Sequence, residues 1–299
     1  MRLATLRVRG GTRAARRESD EYLLLPYPDV GAVLAASAAS ADGDERVPVL
    51  EAVFAPLVPR PNKIVCLGLN YATHIAEMGR DTPRYPTLFA KYDGALIGAH
   101  DAIVLPEVSD QVDWEAELGV VIGRPARHVD RCDALGHVAG YTVVNDVTVR
   151  DYQRRTREFL AGKTFESTTP VGPELVTEDE FGGAEPDLEI RCEVDGEVMQ
   201  RSRTSDLLFG IAEIVAYISE IITLLPGDLI CTGTPGGVGD GRDPKVFLRD
   251  GQHLRTVIEG LGETSNVCLR EKHVNRTGDL DVAARRPSHR PITDPASAW

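Results

Sequence analysis

The strongest constraint on the fold is a succession of short apolar runs, rich in β-branched residues and separated by turn residues, at 64–67, 118–122, 140–144, 188–194, 229–232 and 254–259. Runs of this length bounded by Gly, Pro, Asn and Asp suit buried strands and are too short for packed helices. A single stretch has strong helical spacing. Leu207, Leu208, Ile211, Ile214, Val215, Ile218 and Ile222 recur every three or four residues, Thr204 stands where a cap is needed, and Pro226-Gly227-Asp228 stops the run. Many strands with one such helix predict a β-rich α+β fold.

The start of the chain reads as a smaller unit. Residues 3–8 and 12–15 form two strands around Gly10-Gly11, and Asp29 caps a helix through Val33 and Leu34. Residues 37–48, rich in Ala, Ser, Asp and Gly, read as a loop. We place a boundary at 59–62, which gives a small N-terminal domain over 1–60 and a catalytic, metal-binding domain over 61–272. Beyond Lys272 the apolar pattern stops and Pro287, Pro291 and Pro295 sit among Arg, Ser and Asp, so 273–299 is expected to be a disordered tail.

A formal charge of -13 over 299 residues argues against nucleic acid as a partner, because phosphate binding needs clustered cations. Six arginines in the first eighteen residues are followed by no apolar run of signal-peptide length. No stretch approaches the ~20 apolar residues that span a bilayer, so no membrane partner is expected. The five cysteines are scattered and odd in number, which fits a reducing, cytoplasmic setting.

Asp113-Trp114-Glu115-Ala116-Glu117 leads directly into the 118–122 run. On extended backbone Glu115 and Glu117 face the same way. Two like charges so close resist ionising together unless a cation lies between them. Asp146 follows the 140–144 run and supplies a third carboxylate at a strand end. An all-oxygen set selects Mg²⁺ or Mn²⁺, with Ca²⁺ also compatible, over zinc. The same spacing also fits two acids on a solvated edge strand and an Asp that caps a turn.

Other residues add to this pattern. His74 and Glu77, three apart, share a face if helical, and the carboxylate can then orient the imidazole as a general base; chance i,i+3 pairs are common. Arg150 and Gln153 share a face in the same way, toward an anionic substrate or toward solvent. Lys163 can stabilise a developing enolate or lie on the surface. The 233–239 segment, Gly-Thr-Pro-Gly-Gly-Val-Gly, exposes backbone N–H groups to a carboxylate or makes a plain turn. It is not a P-loop, since no Gly-Lys-Ser/Thr follows.

In this order the segments resemble the fumarylacetoacetate hydrolase family, from about Lys63 to Val267. The matching stretches are Leu69-Asn70-Tyr71 with His74 and Glu77, Glu115-Ala116-Glu117-Leu118, Asn145-Asp146-Val147 with Arg150-Asp151 and Gln153, Gly162-Lys163, and 233–239. The resemblance implies a mixed β-sheet roll, a small N-terminal domain and a homodimer. It implies metal ligands at Glu115, Glu117 and Asp146, catalytic residues at His74, Glu77 and Lys163, and substrate contacts at Asn70, Arg150, Gln153 and Thr234. Where many members carry Lys-Ser-Phe-Asp this chain has Lys163-Thr164-Phe165-Glu166, a departure that leaves Glu166 without an assigned role.

The implied substrate is a small 2-oxo acid. A divalent metal would polarise its carbonyl, His74 held by Glu77 would activate water, and the leaving enolate would meet Lys163. The expected activity is therefore C–C hydrolysis of an acylpyruvate or 1,3-dicarbonyl compound. Decarboxylation of oxaloacetate, hydration or isomerisation are the alternatives, and a metal-binding module without turnover is the reading from another class.

Overall fold

The computed structural model describes residues 1–72 and 81–271. Their largest sheet runs in the order Glu45–Pro48, Glu21–Leu24, Gly11–Glu18, Arg2–Val8, Thr169–Thr177, Val138–Asn145, Ala116–Ile122, Leu229–Cys231, Ile64–Gly68 and Thr87–Ala90. Most neighbours are antiparallel, but Leu229–Cys231 lies parallel to Ile64–Gly68, so the sheet is mixed. A second sheet orders Glu197–Arg203, Glu189–Val194, His253–Ile258, Gly262–Arg270 and Ile103–Leu105. The β-rich class expected from the short runs is the class observed, and each of the six runs lies within two residues of a strand.

Period-two alternation builds the layers. Every residue of Ala116–Ile122 is buried, as a central strand requires. Leu118, Val120 and Ile122 join one core with Ile190, Cys192 and Leu254 of the second sheet and with Ile211, Ile214 and Ile218 of the long helix. Val121 turns the other way, into a core with Val30, Val33 and Leu175. Full burial of a side chain such as Leu118 contributes about 1.5–3 kcal/mol. Glu117 has the parity of Val121, so it faces the side of the sheet that carries Leu229 and Cys231.

The N-terminal strands extend the same sheet. Leu3 pairs with Leu175, which joins Arg2–Val8 to Thr169–Thr177 without a break in the ladder. Asp29 caps the Val30–Ala35 helix by accepting from the Ala32 N–H at 2.9 Å. Within the expected loop, Glu45–Pro48 pairs with Glu21–Leu24 and becomes an edge strand.

The long helix starts later than its apolar spacing predicts. It spans Ile211–Ile221, and the Glu185 carboxylate accepts from the Ile211 and Ala212 N–H groups at 2.9 and 3.0 Å. A Cβ at Gly210 would lie 2.6 Å from that carboxylate, so a larger residue there would have to displace the capping side chain. Thr204 instead accepts from the Leu188 N–H and donates to the Pro186 carbonyl. Leu207 bridges to Tyr71, and the Leu208 N–H donates to the Asn70 carbonyl. Tertiary pairing thus overrides helical spacing in the first turn. The expected tail at 273–299 lies outside the described residues.

Candidate active site

Antiparallel pairing of Ala116 with Asn145 sets Glu115, just before one strand, beside Asp146, just after the other. The Asp146 N–H donates to the Glu115 carbonyl at 2.8 Å and locks this corner. Asn145 supports it from below, accepting from the Glu115 N–H and donating to Thr256, both at 2.9 Å. Glu117 follows Glu115 on the same face. One carboxylate oxygen from each of Glu115, Glu117 and Asp146 lies within 4.8 Å of the others, and all three residues are buried.

Buried cations answer this charge. The Lys163 ammonium donates to Glu115 at 2.5 Å and to Asp146 at 2.7 Å. Lys91, fully buried, donates to the other Asp146 oxygen and to the Val147 carbonyl. Arg150 pairs with Glu115 at 2.7 Å and with Asp113 at 2.8 Å. Burial pushes Asp146 upward, but Lys163 and Lys91 outweigh it and hold the carboxyl below its usual range. Burial alone would lower Lys163; Asp146 and Glu115 instead hold it firmly protonated.

Glu117 differs from its neighbours. One oxygen accepts from the Gly233 N–H at 2.9 Å and the other has no partner. Burial, then the nearby Asp146 charge, pushes this carboxyl well above its usual range. Gly233 has φ +98, and a Cβ there would lie 2.9 Å from Asn70, so the donor depends on glycine. An orphaned, buried carboxylate oxygen beside two more acids is what a hard divalent cation satisfies. The lysine-bound oxygens keep further lone pairs for a cation. With all four buried carboxyls ionised, counting Asp113, their charge exceeds that of Lys91, Lys163 and Arg150 by one. A divalent ion reverses that sign and favours an anionic ligand.

A cavity of about 560 Å³ opens over this floor. Glu115, Lys163, Arg150, Gln153 and Thr234 line it, beside an apolar wall that includes Leu67, Phe89 and Phe159. Leu69, also lining it, is held at φ 57, a left-handed conformation rare for leucine. Gln153 accepts from Arg150 at 3.0 Å, which leaves its amide NH₂ end for a ligand. Thr234 donates to the Ala116 carbonyl and accepts from Gln200. Asn70 is placed beneath the cavity and not on its surface. Its amide donates to the Thr232 and Phe209 carbonyls and accepts from the Phe209 N–H, which holds the loop. His74 and Glu77 lie outside the described residues.

Two residues of the site have no signal in the sequence. Lys91 is 55 positions from Asp146, and a lone Lys reads as a surface residue. Asp113 is buried beneath Arg150, accepting from it and from the Trp114, Gly239 and Asp240 N–H groups. Burial raises this carboxyl against the pull of Arg150. Four donors on its two oxygens are nevertheless the coordination of a carboxylate, not of a carboxylic acid.

Fold and site together describe a β-rich protein with a carboxylate site suited to a hard cation and an anionic ligand. The chain belongs to the fumarylacetoacetate hydrolase family: residues 63–268 match the fumarylacetoacetate (FAA) hydrolase C-terminal family. It is 46% identical over 227 residues, 74% of this chain and 72% of the relative, to the mitochondrial oxaloacetate tautomerase FAHD2A of Bos taurus. Among solved structures, fumarylacetoacetate hydrolase of Exiguobacterium antarcticum is 31% identical with a TM-score of 0.82, covering 91% of this chain and 100% of that one. The 5-carboxymethyl-2-hydroxymuconate delta-isomerase of Mycobacterium smegmatis is 34% identical with a TM-score of 0.76, at the same coverage.

The family is one of enzymes with tautomerase, isomerase and hydrolase members. The cytoplasmic setting expected from the cysteines is corrected by these relatives, since the Bos taurus tautomerase is mitochondrial. All five cysteines are free, and four of them are buried. No helix among the described residues is long and apolar enough to cross a membrane.

Proposed function

We propose that this chain is a divalent-metal-dependent tautomerase of a small 2-oxo acid, with oxaloacetate as the first substrate. The observation that carries this reading is the buried Glu115, Glu117 and Asp146 cluster under a cavity whose floor also holds a protonated Lys163. The 46% identity to an oxaloacetate tautomerase supports the choice of substrate. Glu115, Glu117 and Asp146 would hold Mg²⁺ or Mn²⁺, with Ca²⁺ also compatible. Such an ion supplies Lewis acidity to the 2-oxo carbonyl, which acidifies the C3–H beside it.

The chain's own groups do the rest. Arg150, fixed by Asp113, and the free NH₂ end of Gln153 orient the substrate carboxylate. Lys163 offers an N–H to the oxygen on which enolate charge develops. Phe89 and Phe159, packed edge to face at 5.6 Å, keep bulk water from one side of the cavity. His74, oriented by Glu77, takes the C3 proton in this proposal. The homodimer implied by the family resemblance belongs to the same proposal.

C–C hydrolysis of an acylpyruvate is the second reading, favoured by the likeness to the Exiguobacterium antarcticum hydrolase. The test is enol–keto interconversion of oxaloacetate, followed by enol absorbance with Mg²⁺ or Mn²⁺, beside acylpyruvate cleavage and CO₂ release. We expect metal-dependent acceleration of interconversion that exceeds either other rate. Acylpyruvate cleavage without oxaloacetate interconversion would turn the assignment to hydrolase, and CO₂ release alone would turn it to decarboxylase.

A further inference from the structure

Three arginines at positions 150, 154 and 157 line the cavity. Two are committed to the protein. Arg150 is held by Asp113, Glu115 and Gln153. Arg154 donates to both Asp240 oxygens at 2.6 and 2.8 Å and to Gln111 at 2.6 Å, while Lys245 gives Asp240 a second cation. Arg157 is exposed and, among the described residues, has neither an ion pair nor a hydrogen bond.

Its place is nevertheless fixed from both sides. Thr156 accepts from the Glu158 N–H at 3.2 Å and donates to the Glu158 carbonyl at 3.0 Å, closing a tight turn around Arg157. Phe159 then anchors the chain against Phe89. An uncommitted guanidinium on a fixed turn, facing a cavity of about 560 Å³, is a ready fork for a carboxylate. A 2-oxo acid seated with its oxo-carboxylate end on the acidic floor directs its far end toward the mouth.

We propose that Arg157 is a specificity-determining residue that recognises a second, distal carboxylate, so that the cavity selects 2-oxo dicarboxylic acids over their monocarboxylic counterparts. This rests on the reading of the floor as the seat of the 2-oxo acid end. The test is equilibrium binding of oxaloacetate and of 2-oxobutanoate, which replaces the distal carboxylate by a methyl group, to the Mg²⁺-loaded protein.

Arg157→Gln should weaken oxaloacetate roughly 10-fold or more, the loss of a charge-assisted hydrogen bond, and leave 2-oxobutanoate within about twofold. Arg157→Lys should restore part of the difference. Equal weakening of both ligands, no weakening of either, or a parent that binds both alike would overturn the proposal. If the Arg157-dependent preference is present but the parent fails to accelerate oxaloacetate interconversion, the tautomerase reading fails and the distal-carboxylate site stands.

Discussion

The floor and the mouth of one cavity are built on opposite terms. On the floor, Glu115, Glu117, Asp146, Lys91 and Lys163 are all buried, and strand pairing between Ala116 and Asn145 fixes their spacing. At the mouth, Arg154 and Arg157 are exposed and sit on chain after the four-residue Arg150–Gln153 helix. A side chain on the floor cannot change without leaving a buried charge or an orphaned oxygen behind. One at the mouth changes against water. The floor thereby constrains the chemistry, whereas the mouth is free to vary with the substrate, and relatives named as tautomerase, isomerase and hydrolase fit that division.

The contrast is sharpest at Lys163. Lys163→Met should lower tautomerisation by about 100-fold, because the N–H facing the enolate oxygen is lost. Metal binding should persist or tighten, since Glu115 and Asp146 lose a competing cation. Initial rates beside a Mn²⁺ titration check this, and loss of metal binding in that variant would make Lys163 part of the metal site's scaffold.

A smaller effect on turnover, with a larger one on folding, is expected one layer below. Asp113→Ala removes one of the two carboxylates that hold the buried Arg150 guanidinium and leaves three N–H groups without their acceptor, so unfolding by denaturant should show a loss of roughly 3–5 kcal/mol. An unchanged midpoint would mean that water replaces the carboxylate and that the floor is less closed than its burial indicates. The mouth gives the smallest change: Arg157→Gln alters binding of one ligand class and leaves stability alone, within about 0.5 kcal/mol.

How far the sequence shows this division depends on how local each signal is. Glu115 and Glu117 are legible because a two-residue period is a property of one strand, and Asp146 because it ends an apolar run. Lys91 and Asp113 are silent because their partners are 55 and 37 positions away. The loop-holding bonds of Asn70 are silent for the same reason, since its amide serves Phe209 and Thr232, both distant in the chain. Thr169–Thr177 escapes detection because Pro170 and Pro173 contradict a central strand. The ladder admits Pro173 next to a register shift between Tyr141 and Val143. The start of the Ile211–Ile221 helix is set by Glu185, which no helical period announces.

We propose that three carboxylates on adjoining strand ends hold a divalent ion. Electron paramagnetic resonance titration with Mn²⁺ tests it most directly, on the parent and on Glu115→Ala, Glu117→Ala and Asp146→Ala. The parent should bind Mn²⁺ stoichiometrically and each variant should lose roughly 10-fold or more in affinity, with the fold retained by circular dichroism. Mn²⁺ binding by all three variants at the affinity of the parent would contradict it.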